Sequence, residues 1–574
     1  MHGYRPSPCD FFGDCHLSVQ DTVAGMNSTL AELNRKAAKS FLRIAHAKAD
    51  GREKNLRRAI EAFEASLKFF TFGTHPLLYA QINNDLGIAL SRLAGVRDEE
   101  SYLKQALVVY REALRVYDPG RFPKEYATAQ NNLGNVHSEL AEVRDKEFNL
   151  DEAVASYCEV LPVFNRESSP ELYAVIQNNL GNVYKSLAEI RDCDANLHRA
   201  VGAFQAALEV FTLEKFPVQY ASSQNNLGNA YTSLAETRDW GSNLMNAISA
   251  FEHALCVRTF KDLPADFADT QSNLGIAYKQ LANVRDKETN LRRAIAAFRE
   301  CGRVKSFESF PQDYATYQDN LGDAYTGLAE FGDGEDRLRL AISAFREALR
   351  VRTVDEFPQY YAATQNNLGI AFGKLADLCD SGANLEQAIL AFREALRIRT
   401  IERLPKDYAT TQNNLGNAFA RLAQLPNRDT EAYLGRALKA YHDSLMVFTI
   451  EAFAPMHATV QSNIGLAFAN LSRVRDKETN LNQAIAAFRK ALAIFTFDAS
   501  PQNNASIQRN LAHVFGDLIQ LRASTGAKEE GKDLMRAMKD CVMEALRFYT
   551  EACSPAIYLE LRNTLERLSA RLSQ

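Results

Sequence analysis

Residues 405–416 read PKDYATTQNNLG, and their closing phrase QNNLG returns at 130–134, 177–181, 224–228 and 365–369. Variants fill the gaps: QSNLG at 271–275, QDNLG at 318–322, QSNIG at 461–465, an early NNDLG at 83–87 and a late QRNLA at 508–512. From Gly87 to Gly416 the step is 47 residues seven times over, then 49 to Gly465 and 47 to Ala512. Self-similarity at a fixed period of this length is the signature of a stacked repeat architecture.

One unit shows what is repeated. Pro264 opens a segment with apolar or small residues at Phe267, Ala268, Leu274, Ala277, Tyr278, Leu281 and Ala282, the spacing of an amphipathic helix. Proline suits a first turn, where its missing N–H has no intrahelical partner. Residues 285–290, RDKETN, interrupt the pattern, and a second helix follows with Leu291, Ala294, Ile295, Phe298 and Cys301 on its buried stripe. Asn290, with Asn149, Asn196, Asn243, Asn384 and Asn480 at the same place, is expected to cap that helix. The Arg-Asp pairs before it, from Arg97-Asp98 to Arg475-Asp476, are expected to stitch neighbouring loops. Glycine inside a helix costs roughly 1 kcal/mol against alanine. Its recurrence in nine units therefore predicts the close approach of another helix.

A degenerate unit precedes the regular ones, with a well-formed second helix at 55–63, and another follows at 508–549. An unpaired amphipathic helix at 555–573 closes the series, as the atypical ends of stacked repeats require. The expected organisation is a flexible leader over 1–26 and one all-α solenoid over 27–574, of eleven helical hairpins and a capping helix. Its subdivisions are a degenerate unit at 27–75, regular units at 76–500 and the closing unit and cap at 501–574.

In most units Leu-Gly is followed three residues later by Tyr or Phe, then by Ala-x-x-x-Phe-x-x-Ala: Leu227, Gly228 and Tyr231 with Ala247, Phe251 and Ala254, for example. This resembles the tetratricopeptide signature, and PxxYAxxQNNLG is similar to the repeats of kinesin light chains and their bacterial relatives. The resemblance implies a right-handed superhelix whose first helices line a concave groove and whose second helices form the outer wall. The units are longer than is usual for the family, through the Arg-Asp-x-x-x-Asn loop.

The asparagine before the motif leucine lies off the core stripe: Asn132, Asn179, Asn226, Asn273, Asn320, Asn367, Asn414 and Asn463. A second row precedes it at Asn131, Asn178, Asn225, Asn366 and Asn413. A carboxamide both donates and accepts, so such a ladder can hold the backbone of an extended peptide without reading its side chains. The competing reading is that the amides bond only to one another between adjacent first helices. The position after the glycine varies (Ile88, Asn135, Asn182, Asn229, Ile276, Asp323, Ile370, Asn417, Leu466), which suits selectivity beside a constant grip.

A net charge of −5 and a pI near 6.1 argue against a general nucleic-acid binder. No apolar run reaches the length of a membrane span, and the first residues carry no signal-peptide core. Nine cysteines, four of them in helical patterns, fit a reducing compartment, so a cytoplasmic location is expected. Cys9, Cys15 and His16 lack the spacing of a zinc site. No phosphate-binding loop, zincin motif, nucleophile elbow or paired CxxC occurs. The expectation is a non-enzymatic scaffold that binds a protein or peptide, without cofactor or metal. The alternative is a regulatory subunit that restrains or recruits a separately encoded protease or nuclease.

Overall fold

In the computed structural model the chain is described over residues 19–47, 51–96, 98–525 and 528–573, and its contacts divide it into two units that meet at Val284 and Arg285. The first unit holds α1 (Val19–Ala47) with α2 (Arg52–Leu67), α3 (Pro76–Ala94) with α4 (Glu99–Leu114), α5 (Pro123–Ala141) with α6 (Lys146–Val160), α7 (Pro170–Ala188) with α8 (Cys193–Leu208), α9 (Pro217–Ala235) with α10 (Trp240–Leu255), and α11 (Pro264–Leu281). The second holds α12 (Lys287–Gly302), then α13 (Pro311–Leu328) with α14 (Gly334–Leu349), α15 (Pro358–Leu375) with α16 (Ser381–Leu396), α17 (Pro405–Leu422) with α18 (Thr430–Leu445), α19 (Ile450–Leu471) with α20 (Lys477–Leu492), α21 (Pro501–Thr525) with α22 (Lys528–Leu546), and α23 (Pro555–Leu572). The architecture is all-α, and no strand occurs among the described residues. Within each unit every hairpin packs on the next, as in an α-solenoid. Cys9, Cys15 and His16 lie outside the described residues, and α1 begins at Val19, inside the expected leader.

The recurrent glycine is where the two helices of a hairpin meet. A Cβ on Gly228 would stand 2.5 Å from Phe251, and one on Gly181, Gly322 or Gly369 would stand 2.6–2.7 Å from Phe204, Phe345 or Phe392. Tyr110, Tyr157 and Tyr441 cover Gly87, Gly134 and Gly416 in the same way. These rings are among the most deeply buried side chains, and full burial of one contributes roughly 1.5–3 kcal/mol. The close approach expected from the sequence is thus made by a ring of the partner helix. The last hairpin keeps the fit by a double change, with Ala512 at the glycine position and Val542 at the ring position of one core cluster.

The inner loops correct one expectation. Asn149, Asn196, Asn243, Asn290, Asn384 and Asn480 are not caps, because they lie inside the first turn of the second helix. Each Nδ2 reaches back five residues to a carbonyl: Arg144, Arg191, Arg238, Arg285, Cys379 and Arg475, at 2.8–3.0 Å. The residue before the helix is an aspartate in the left-handed region, with φ of 43–49° at Asp98, Asp145, Asp192, Asp239, Asp286, Asp333, Asp380 and Asp476. That conformation is unfavourable for most L residues and less so for aspartate, and the asparagine amide holds the turn closed. The loop between α17 and α18 is two residues longer. There Asn427 takes the positive φ, and Asp429 is a true cap that accepts from Ala432 N at 2.9 Å. The arginines do stitch repeats: Arg144 to Glu100, Arg191 to Glu147 and Asp151, Arg238 to Asp194, and Arg475 to Glu431. Arg97 lies outside the described residues.

Candidate functional site

Within each unit the first helices α3, α5, α7, α9 and α11, and α13, α15, α17, α19 and α21, each touch the next in their series. Among the described residues, consecutive second helices do not come as close. The first helices therefore form the tighter, inner row, and the two asparagine rows lie along its seams. Asn225 and Asn366 are buried; Asn131, Asn132, Asn178, Asn179, Asn226, Asn273, Asn320, Asn367, Asn413, Asn414 and Asn463 are half-buried.

The rows meet across successive repeats. Nδ2 of Asn132 donates to Asn84 Oδ1 at 3.3 Å, Asn226 to Asn178 at 3.4 Å, Asn273 to Asn225 at 3.2 Å, Asn414 to Asn366 at 3.3 Å, and Asn463 to Asn413 at 3.0 Å. One step differs: Asn179 donates to Asn135 at 3.1 Å, which also accepts from the Tyr157 hydroxyl at 2.6 Å, and the buried Asn131 Oδ1 has no partner. A carboxamide offers two N–H donors and an oxygen with two lone pairs. The ladder uses one N–H of each donating residue and the oxygen of each accepting one, so every rung retains donors and an acceptor.

A second row runs beneath the first and lies outside the QNNLG motif. At 47-residue steps, and 49 at the last, the end of the second helix carries Phe70, Tyr117, Phe164 and Phe211, then Arg258, Lys305, Arg352 and Arg399, then Phe448. All nine are buried. Twelve residues on, the neighbour changes in step: Ile82, Ala129, Ile176, Ser223, then Thr270, Tyr317, Thr364, Thr411, then Val460. Nη1 of Arg258, Arg352 and Arg399 donates to Thr270, Thr364 and Thr411 at 3.0, 2.9 and 2.9 Å. The hydroxyls of Thr270 and Thr411 lie 3.2 and 3.3 Å from Asn225 and Asn366 Oδ1, which joins these cations to the asparagine ladder. Burial lowers the pKa of Arg258 and Arg399, opposed by Asp266 and Asp269 and by Asp407. The signal was in the sequence, as four cations in register with five rings.

Leucine and glycine on the first helix, with the ring of an Ala-x-x-x-Phe/Tyr second helix laid over that glycine, decide the kind of hairpin. These are tetratricopeptide-like repeats. No family model and no curated protein matches the sequence. Among solved structures, the C-terminal part of a TPR repeat-containing protein from Cytophaga hutchinsonii is 16% identical, with a TM-score of 0.33 over 55% of this chain and 95% of that one. A tetratricopeptide repeat protein from Parabacteroides merdae is 19% identical, with a TM-score of 0.32 over 58% and 99%. The human IFIT1 dimer with PPP-AAAA is 14% identical, with a TM-score of 0.37 over 86% and 94%.

Outside the tetratricopeptide-like seams the described residues hold little reactive chemistry. They contain no group of three or more His, Cys, Asp or Glu placed to hold a metal. Cys301 and Cys541 are buried as the helical pattern implied, whereas Cys158 and Cys256 face solvent. His137, on α5, is buried at the place where the next two repeats carry Tyr184 and Tyr231. No described helix is long and apolar enough to cross a membrane.

Proposed function

We propose that the chain is a scaffold without catalysis of its own that holds a partner polypeptide along its first helices by the asparagine ladder. The observation that carries this reading is the one-sided use of the amides. Asn178, Asn225, Asn366 and Asn413 each accept through Oδ1 from the next repeat. That bond fixes the orientation of the carboxamide and keeps its Nδ2 hydrogens for another acceptor, as a peptide carbonyl is. The spacing of one rung per hairpin suits an extended chain laid across the repeats.

The test separates the two uses of each amide. Asn84→Asp, Asn178→Asp and Asn225→Asp, all in the first unit, keep an oxygen for the neighbouring asparagine and remove the Nδ2 donors. The fold already accepts this change, since Asp319 stands in the same row. The probe is a library of uncharged, unstructured 12-residue peptides screened on the whole chain. Each lost hydrogen bond is worth about 0.5–1.5 kcal/mol, so the triple variant should bind retained peptides roughly ten- to a thousandfold more weakly. Its melting temperature should move little. Unchanged affinity in the variant would reduce the ladder to internal scaffolding, and a wild-type chain that retains no peptide would sink the reading.

A further inference from the structure

The four repeats in which a cation replaces the ring are not alike. Eight residues beyond the cation stand Asp266 after Arg258, Asp313 after Lys305 and Asp407 after Arg399. These carboxylates lie 3.5, 2.7 and 3.9 Å from their cations. Eight residues beyond Arg352 stands Tyr360, a 61% exposed ring whose centroid is 5.1 Å from the guanidinium carbon. Where the sister repeats place an aspartate, this one has a cavity of about 240 Å3 lined by Gln312, Asp313, Thr316, Arg352, Phe357 and Tyr360 among others. Arg352 itself is only 7% exposed. Its charge is met from the ladder side by Asp319, 3.3 Å away, and its Nη2 makes a long 3.4 Å bond to Thr316. A guanidinium carries five N–H groups in one plane and can serve two carboxylates at once.

We propose that this cavity receives the carboxylate of a glutamate or aspartate side chain of the bound polypeptide, in the place that Asp266, Asp313 and Asp407 fill for the sister cations. This rests on the polypeptide-binding reading and adds to it a preference for one side chain. The acid's methylene stem meets Phe357 and Tyr360, and its oxygens meet the edge of Arg352 and the Thr316 hydroxyl. Asp313, at the rim, is already 2.7 Å from Lys305. A phosphodiester chain fits less well, because an aspartate stands beside each of the other three cations and the whole chain is anionic.

Two probe pairs test this on the full chain. One is N-acetylglutamate methylamide against its glutamine counterpart, followed by saturation-transfer NMR. The other is a ladder-binding 12-residue peptide made with glutamate or with glutamine at each position in turn. At one position glutamate should bind about tenfold more tightly than glutamine, as expected of a charge-assisted hydrogen bond. Two variants should abolish that difference. Tyr360→Asp supplies an internal carboxylate. Asp319→Asn with Arg352→Phe and Thr364→Ile rebuilds the junction as Asn131, Phe164 and Ile176 already form it, so the core stays filled. Equal binding of both members of each pair, or a preference that survives the triple variant, overturns the proposal. So does displacement of the acidic peptide by a ten-nucleotide RNA at lower concentration than by the peptide itself. If the ladder reading alone fails, neither peptide binds while the small probes still differ; if the cavity reading alone fails, both peptides bind equally and the small probes do not differ.

Discussion

Gly228→Ala is the most direct perturbation of the hairpin, because two effects of known sign oppose each other there. Alanine is the better helix former by roughly 1 kcal/mol. Its Cβ, however, would lie 2.5 Å from Phe251 Cε1 and 2.8 Å from Cδ1 and Cζ, where carbon atoms rest at about 3.5–4.0 Å. Phe251 has no exposed surface and no room to retreat. Overpacking of this kind costs about 1–3 kcal/mol, so the net effect should be a loss of up to about 2 kcal/mol. Phe251→Val alone should cost about 2–4 kcal/mol through the cavity it leaves. The double variant should lose about 1–3 kcal/mol less than the sum, since Ala512 and Val542 occupy these two positions together in the last hairpin. Native-state hydrogen exchange of α9 and α10 is the assay, because repeat arrays open locally and a single melting curve would average over them. Strict additivity, or a Gly228→Ala chain stabilised by the full propensity gain, would refute the reasoning.

Replacing Arg399 by Phe and Thr411 by Ile, the pair formed by Phe70 and Ile82, should stabilise the junction of α16 with α17 by about 1–4 kcal/mol, as exchange of a buried ionic group for apolar packing often does; slower exchange in both helices would show it, and faster exchange would contradict it. His137 is held below its ordinary pKa chiefly by burial, and its Nδ1 lies 2.9 Å from Asn149 Oδ1. Because Asn149 Nδ2 is given to the Arg144 carbonyl, the neutral ring donates from Nδ1. The unfolded chain then takes up the proton first, so this residue's contribution is present above about pH 6.5 and is lost as pH falls toward the lowered folded value. In urea unfolding at a series of pH values, His137→Tyr should flatten that slope, and an unchanged slope would place its origin elsewhere. Asn243→Ala removes the 3.0 Å bond to the Arg238 carbonyl and should cost about 1 kcal/mol, seen as faster exchange at the start of α10; an Asn243→Asp chain that behaved like wild type would show that the amide N–H is not what closes the loop.

Much of the hairpin could be read from the chain because its determinants recur. The 47-residue step, the prolines that open first helices and the glycine that tolerates a ring are each local, and repetition raises them above chance. The asparagine at 290 was misread for a physical reason. An N-cap rule assumes an extended residue before the helix, and nothing in the letters Asp-Lys-Glu-Thr-Asn announces that the aspartate is left-handed and that the amide turns back to a carbonyl five residues away. The asparagine ladder was visible as two rows, but which amide donates to which depends on how far one first helix is staggered along the next. The cation row was equally present in the sequence, twelve residues before its threonine. It is invisible within any single repeat because it belongs to the junction between one repeat and the next.

That junction has a consequence for how the number of repeats can change. A 47-residue excision from 306 to 352 would bring Lys305 into register with Thr364, and one from 353 to 399 would bring Arg352 into register with Thr411, so a cation still meets a hydroxyl. An excision from 400 to 448 would set Arg399 against Val460 and leave its guanidinium facing a hydrocarbon. Gain or loss of a whole repeat among the central copies therefore keeps the junction's packing, although it can remove the cavity at Arg352, whereas at their margins it strands a buried charge.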